Sequence, residues 1–511
     1  MPNQSTSSLA AAAATGAAAA LLITYMYSHA QTRRRRKHAL LDDDNDLILS
    51  SEDTTSCNPN NSSKCIYLDH NGTTPIYKPV LREMLPYLTE HFGNPSSGHA
   101  YGSAPKAAVS LARRRVMSLL VDSSSSTDID TQQSAAVDDC IIFTGCGTES
   151  DNLAIQLALL STSSPPKDKR LAIHLALLSA PSPPKDKRKH VVTCNIEHPA
   201  VLECLKIMQC RGEIDLSIVA VNDEGIVSAD DIANAIIPLR TALVTVMVAN
   251  NEVGSLQPIK QIAQTCRDSG VLFHTDAAQA VGKVSVTLRD LGYPDMITLV
   301  GHKMGAPKGV AALYVRSKCL SQHGRAVPEG YGSCGLALIG GGQECGRRAG
   351  TENVPYIAAM GQAADLLTST AVESSGADET RQQWRLNAER MEGLRTRLLN
   401  NLQNGLGEEN IRVNGPANPA LRLPNTLSVG LRNVQSGELL KIISNKVAAS
   451  AGSACHASGG GVSEVLKCMN VPDEFARGTL RLSVGPGTTL EEVDAASDII
   501  IAEAKRQMAG N

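Results

Sequence analysis

The stretch DMITLVGHKMGAPKG, residues 295–309, decides how this chain is read. Its apolar run at 296–300 has the length and composition of a buried strand, and it leads to His302 and Lys303 in a turn rich in glycine and proline. A long amine carried by a buried strand into such a turn can reach a pocket. The string VLFHTDAAQ, residues 271–279, repeats the form: an apolar strand that ends in the acid Asp276. Adjacent parallel strands would bring Asp276 and Lys303 to one sheet edge, and open α/β sheets bind ligands at the carboxyl ends of their strands.

A lone lysine after a strand is ordinarily a solvated charge. Paired with a buried acid, Lys303 reads as a Schiff-base lysine, and Asp276 as the group that keeps a pyridine nitrogen protonated. The cofactor the pair implies is pyridoxal 5'-phosphate. The surrounding pattern supports such a sheet, because strand-like runs at 191–194, 243–248, 271–275, 296–300 and 310–315 alternate with helix-length segments. Beyond about residue 335 the pattern changes. Trp384, Ala388, Met391, Leu394, Leu398 and Leu402 share one helical face, and a capping box of Thr489 and Glu492 opens a last helix faced by Val493, Ala496, Ile500 and Ala504. The expected fold is α/β, with a large, mostly parallel sheet domain over residues 65–335 and a smaller α+β domain over 336–511.

With 511 residues, 42% of them hydrophobic, the chain can bury a large core. Its formal net charge of -3 gives no basic field, which disfavours nucleic acid as a partner. The 13 cysteines contain no CxxC pair and no zinc-type Cys/His spacing, so neither a disulfide framework nor a metal site is expected.

Residues 1–64 read as an extension. Residues 9–27 carry no charge and would span roughly 30 Å as a helix, and a basic run at 33–37 follows. The expectation is a membrane anchor with the catalytic body in the cytosol; the alternative is a removable segment targeting the mitochondrion or another organelle. Residues 38–64 read as a disordered linker and 122–133 as a surface loop. An 18-residue unit, LAIQLALLSTSSPPKDKR at 153–170, recurs at once as LAIHLALLSAPSPPKDKR at 171–188. Two copies are too few for a solenoid, so this is a local tandem duplication within the larger domain, through biology or gene prediction.

From about residue 66 onward the chain resembles the cysteine desulfurases and selenocysteine lyases, in the class V aminotransferase group of fold type I pyridoxal phosphate-dependent transferases. The strings that carry the resemblance run in order: YLDHNGTTP (67–75), GNPSS (93–97), FTGCGTESDN (143–152), EHPAV (197–201), ANNEVG (249–254), HTDAAQAVGK (274–283), GHKMGAPKG (301–309), GGGQECGRRAGTEN (340–353), RLPNT (422–426), AGSACHASGGG (451–461) and TLRLSVG (479–485).

The resemblance implies a role for each site residue. Gly147 and Thr148 would hold the cofactor phosphate at a helix N-terminus, with His302 as a further phosphate ligand. His198 would stack on the cofactor ring and assist proton transfer, while Asn251 and Gln279 would bond its phenolic oxygen. Thr351 corresponds to a residue given to the neighbouring subunit's phosphate, which implies a homodimer. Arg481 would grip the substrate carboxylate, and Cys455, in a stretch of small residues, would be the thiol that takes the chalcogen.

The implied reaction removes sulfur from L-cysteine, or selenium from L-selenocysteine. It leaves L-alanine and an adduct on Cys455 for an acceptor protein, as in iron–sulfur cluster assembly. Rival readings are another class V enzyme, such as an aminotransferase, and a non-catalytic scaffold for sulfur trafficking. Some positions depart from the commoner desulfurase pattern. Val300 and Gly301 stand where a phosphate-binding serine string is usual and look like the selenocysteine lyase side. Gly72 replaces the usual alanine, Gly145 and Cys146 replace a Ser-Gly pair, and Cys345 replaces a common arginine.

Overall fold

The computed structural model describes residues 65–121, 140–161, 188–316, 338–372, 380–451 and 462–510. The described chain enters on a two-residue strand, β1 (Ile66–Tyr67). The valine-, isoleucine- and leucine-rich runs then become the main sheet: β2 (Ile141–Thr144), β3 (Lys189–Cys194), β4 (Ile214–Val219), β5 (Thr241–Thr245), β6 (Leu272–Asp276), β7 (Met296–Val300) and β8 (Ala311–Val315). Their order is β2-β8-β7-β6-β5-β3-β4. Only β8 runs antiparallel to its neighbours; the other pairings are parallel. Strands β2, β5, β7 and β8 are buried along their whole length, which explains why they read as continuous apolar runs and not as alternating ones.

The helix Gly147–Ser161 covers one face of this sheet. Its Leu153, Ile155 and Leu157 pack with Ile142, Val191 and Leu243. The first repeat unit therefore begins inside this core helix, and residues 162–187 lie outside the described residues. Elsewhere the helix Val354–Thr368 lies against Ala100–Ser118, so closely that a Cβ at Gly361 would stand 2.7 Å from the Ala112 Cα.

After a short antiparallel pair, β9 (Thr370–Val372) and β10 (Thr380–Gln382), a smaller α+β region follows. Strands β11 (Ile411–Val413) and β12 (Thr426–Leu431) pair antiparallel, β13 (Val447–Ala448) pairs parallel with β1, and β14 (Thr479–Ser483) adds to β12. The helices Gln383–Leu406 and Leu490–Gly510 contribute Met391, Leu394, Leu398, Val493, Ala496 and Ile500 to one buried cluster. The capping box is formed in both directions: Glu492 N–H donates to Thr489 Oγ1 at 3.1 Å, and Thr489 N–H donates to Glu492 Oε2 at 3.0 Å.

The expected membrane-anchored architecture is corrected. No helix among the described residues is long and apolar enough to cross a membrane. Residues 9–27 and the basic run at 33–37 lie outside the described residues. The physical reason is visible in the segment itself, in which nine of 19 residues are alanine. Of the side chains that most strongly favour insertion it holds only Leu9, Leu21, Leu22 and Ile23. The membrane-anchored architecture is therefore withdrawn, and with it the cytosolic placement that was drawn from the anchor.

Candidate active site

The parallel strands end along one edge, and the loops that leave β2, β3, β6 and β7 enclose a cavity of about 640 Å³ together with Arg481 of β14. Lys303 arrives directly from β7 through the one-turn helix Gly301–Lys303. Glycine is required at that turn, because a Cβ on Gly301 would stand 2.8 Å from Val310 Cγ1. The Lys303 amine donates to the Gly72 carbonyl at 2.8 Å and to the Asn71 carbonyl.

Asp276 closes β6, buried in the same cavity. The Ala278 N–H donates to its Oδ1 at 2.8 Å. Burial pushes its carboxyl up, opposed first by that N–H and then by His198 and Lys303. His198 caps the helix Pro199–Cys210, its Nδ1 accepting the Ala200 N–H at 3.1 Å. Burial lowers its pKa, so it is held neutral with the proton on Nε2.

Gly147 and Thr148 open the helix Gly147–Ser161, and both line the cavity, so free backbone N–H groups of a helix N-terminus face it. Glu149 in the same turn accepts the Gly145 N–H at 2.6 Å and is neutralised by Arg348 at 2.7 Å. His302 also lines the cavity, with Nδ1 3.1 Å from Thr73 Oγ1. Burial, then the Lys303 and Lys308 charges, lower it to about 4, so it offers a neutral imidazole.

Gln279 lines the cavity with its amide engaged: Nε2 donates to the Asn71 carbonyl at 3.0 Å, and Oε1 accepts from Lys283 at 2.9 Å. Asn251 is also on the wall, and its carbonyl accepts from Asn71 Nδ2 at 3.1 Å. Arg481 is almost wholly buried and pairs with Asp69 at 2.7 Å.

One expected residue that is described is not brought to this cavity. Thr351 is exposed and is not among the residues on its wall. Cys455 lies outside the described residues. Ser450, shortly before it, is bridged to Arg481 by backbone hydrogen bonds of 2.7 and 3.2 Å.

The motif reading passed over residues that the geometry brings forward. Asn71 ties the site together: beyond the carbonyl that receives Lys303 and Gln279, its side chain donates to Thr426 Oγ1 at 2.8 Å and accepts from Asn425 at 3.0 Å. Glu197 accepts the Met247 N–H at 2.7 Å and the Cys194 thiol at 3.1 Å, and burial drives its carboxyl up to about 8. Asp151 is pushed up by burial and next by Asp276. Lys283 is pulled down to about 7 by burial, then by Lys303 and Arg481. Each stands inside a string quoted above, so the signal was present, but the residue type alone names no role.

A buried acid whose one hydrogen bond among the described residues is from an N–H suits a ring nitrogen that carries a proton. Open N–H groups at a helix N-terminus suit a phosphate. The Lys303 amine on the same cavity wall completes the set, so the residues fit pyridoxal phosphate.

Residues 66–173 and 169–496 match the class-V aminotransferase family, and the two matched stretches meet inside the tandem repeat. The chain belongs to that family. It is 33% identical over 450 residues to cysteine desulfurase IscS of Clostridium botulinum, covering 87% of this chain and 96% of that protein. Against a cysteine desulfurase of Nostoc sp. the identity is 36% over 437 residues, covering 85% and 92%. Among solved structures, a NifS-like protein superposes with a TM-score of 0.65 at 28% identity, over 88% of this chain and 100% of the other. SspA in complex with cysteine gives 0.60 at 28% identity, over 83% and 99%. Within the family, the protein is a pyridoxal phosphate-dependent cysteine desulfurase.

Proposed function

We propose that Lys303, Asp276, His198, Arg481 and Cys455 divide the desulfurase reaction among them. The observation that carries this reading is that the first four line one cavity at the carboxyl edge of the sheet. Pyridoxal phosphate, when bound, supplies an electron sink next to the substrate's Cα. Asp276 holds the positive end of that sink, and Gly147, Thr148 and His302 hold its phosphate. Lys303 would hold the cofactor and its Nζ would move the α-proton; neutral His198, with Nδ1 held by the Ala200 N–H, would assist through its Nε2 proton. Asn251 and Gln279 set the ring's orientation, and Arg481 fixes the substrate carboxylate.

The Cys455 thiolate attacks Sγ of L-cysteine. An S–S bond forms as the Cβ–S bond breaks; its electron pair stays with the carbon, which takes a proton and leaves as L-alanine. The outer sulfur of the persulfide then passes to an acceptor protein's thiol. An exposed Thr351 away from its own cavity supports a homodimer in which it serves the partner's phosphate site. The Val300-Gly301 pair before His302 favours L-selenocysteine as a second substrate.

The test offers the holoenzyme L-cysteine and L-selenocysteine separately and measures alanine. Lys303→Ala is expected to lose both activities and the visible absorbance of the bound cofactor. Cys455→Ser is expected to lose the cysteine reaction. Alanine formed from cysteine at the wild-type rate by either variant would sink the assignment.

A further inference from the structure

The residue proposed to bind the substrate carboxylate already holds a carboxylate of its own chain. Arg481 Nη2 donates to Asp69 Oδ1 at 2.7 Å and to Ser450 Oγ at 3.1 Å, so both of its hydrogens are in use. Nη1 reaches the Asn251 carbonyl only at 3.4 Å, and Nε, buried, has no partner among the described residues. A guanidinium grips a carboxylate bidentately through Nη1 with Nη2, or through Nε with Nη2. Each fork uses Nη2, so an incoming carboxylate that binds in this way must displace Asp69 or Ser450.

Asp69 can take this position because residue 72 is glycine. A Cβ built on Gly72 would stand 2.5 Å from Asp69 Oδ2 and 3.0 Å from its Cγ, closer than atoms can pack. The backbone of Gly72 is not in the left-handed region, so alanine is allowed there; the Asp69 carbonyl, 3.1 Å from such a Cβ, must give slightly, and the larger strain falls on the Asp69 carboxylate, which can swing away. Alanine is the residue usual at this point of the resembling strings, and this chain departs from it.

We propose that Asp69 is a positioning residue that acts through Arg481 as an internal competitor for the substrate carboxylate, and that Gly72 sets the strength of this competition. This rests on the reading of Arg481 as the carboxylate-binding residue. The ion pair is the resting state of the site. A substrate with an α-carboxylate replaces it, whereas an amine lacking one leaves it closed.

Calorimetric titration of the holoenzyme with L-alanine, and with ethylamine, which is alanine without its carboxylate, separates the two ideas. Asp69→Asn and Gly72→Ala should each bind L-alanine tighter, on the order of five- to tenfold for a charge-assisted hydrogen bond no longer contested. The double variant should gain no more than Asp69→Asn alone, ethylamine binding should be unchanged throughout, and KM for cysteine should fall more than kcat changes. If Arg481→Gln loses L-alanine binding while Asp69→Asn and Gly72→Ala bind it no tighter than wild type, the competition is overturned. If Arg481→Gln binds L-alanine as wild type does, the reading of Arg481 itself fails.

Discussion

Lys283 Nζ lies 2.9 Å from Gln279 Oε1 in a fully buried position, where burial and the Lys303 and Arg481 charges bring its pKa from 10.5 to about 7. It is therefore about half charged near neutral pH and donates its hydrogen bond as a neutral amine above that. The unfolded chain binds one more proton than the folded chain between about pH 7 and 10.5, so Lys283 makes stability rise with pH in that window. The slope is at most about 1.4 kcal/mol per pH unit. Lys283→Met should remove this rise and lower stability overall, since Gln279 Oε1 loses its donor. Urea unfolding at pH 7, 8 and 9 checks it; parallel curves for the two proteins would mean that Lys283 is charged throughout.

Glu197 acts in the opposite sense. Its folded pKa, about 8 against 4.5, is raised by burial, so the folded state keeps a proton that the unfolded state loses between those values. The stability this contributes is complete below about 4.5 and is lost as pH rises through about 8. Glu197→Gln keeps an acceptor for the Met247 N–H and cannot ionise. Relative to wild type the variant should gain stability steadily from pH 5 to 8, read as the difference in Tm. Glu197→Ala cannot ionise either and should follow the same trend, but lie about 1–3 kcal/mol below Glu197→Gln at every pH, because the Met247 N–H is left buried without an acceptor.

These two residues show where the sequence stopped being readable. The five main-sheet runs named from sequence and the faces of both long helices were legible because continuous apolar strands and a 3.6-residue stripe are local patterns. Lys303 and Asp276 were legible because each ends such a strand. Asp69, Asn71, Glu197 and Lys283 were not, because what distinguishes them is burial and a partner distant in the chain. Asn71 receives Lys303, 232 residues away, and Asp69 pairs with Arg481, 412 residues away. The N-terminal segment has the length of a bilayer span and no charge, but alanine supplies little of the hydrophobicity that insertion needs.

Gly361 tests helix packing. Alanine in place of a mid-helix glycine gains about 0.8–1 kcal/mol of helix propensity. Here its Cβ would meet the Ala112 Cα at 2.7 Å, and overpacking of this kind costs roughly 1–3 kcal/mol. The obstacle is backbone and cannot rotate away, so the cost wins. Gly361→Ala should lower Tm, and Gly361→Val should lower it further. A rise in Tm for the alanine variant would show that the two helices can part without loss.

Val300 stands where the resembling strings place a serine, and its side chain fills the space beside Gly147, whose Cβ would meet Val300 Cγ2 at 2.7 Å. A serine hydroxyl at this position would face the N-terminus of the helix Gly147–Ser161, where the phosphate is proposed to sit. Val300→Ser should therefore add one hydrogen bond to an anion, and such a bond is worth about 1.5–3 kcal/mol. The same change removes methyl groups from a position only 4% exposed and costs the apoprotein about 1 kcal/mol. The two effects separate experimentally: the apoprotein should melt lower, while pyridoxal phosphate, titrated by fluorescence, should bind about tenfold tighter or better. Unchanged cofactor affinity in a folded variant would place the phosphate out of reach of residue 300. The valine would then be a packing choice and would carry no information about which chalcogen the enzyme prefers.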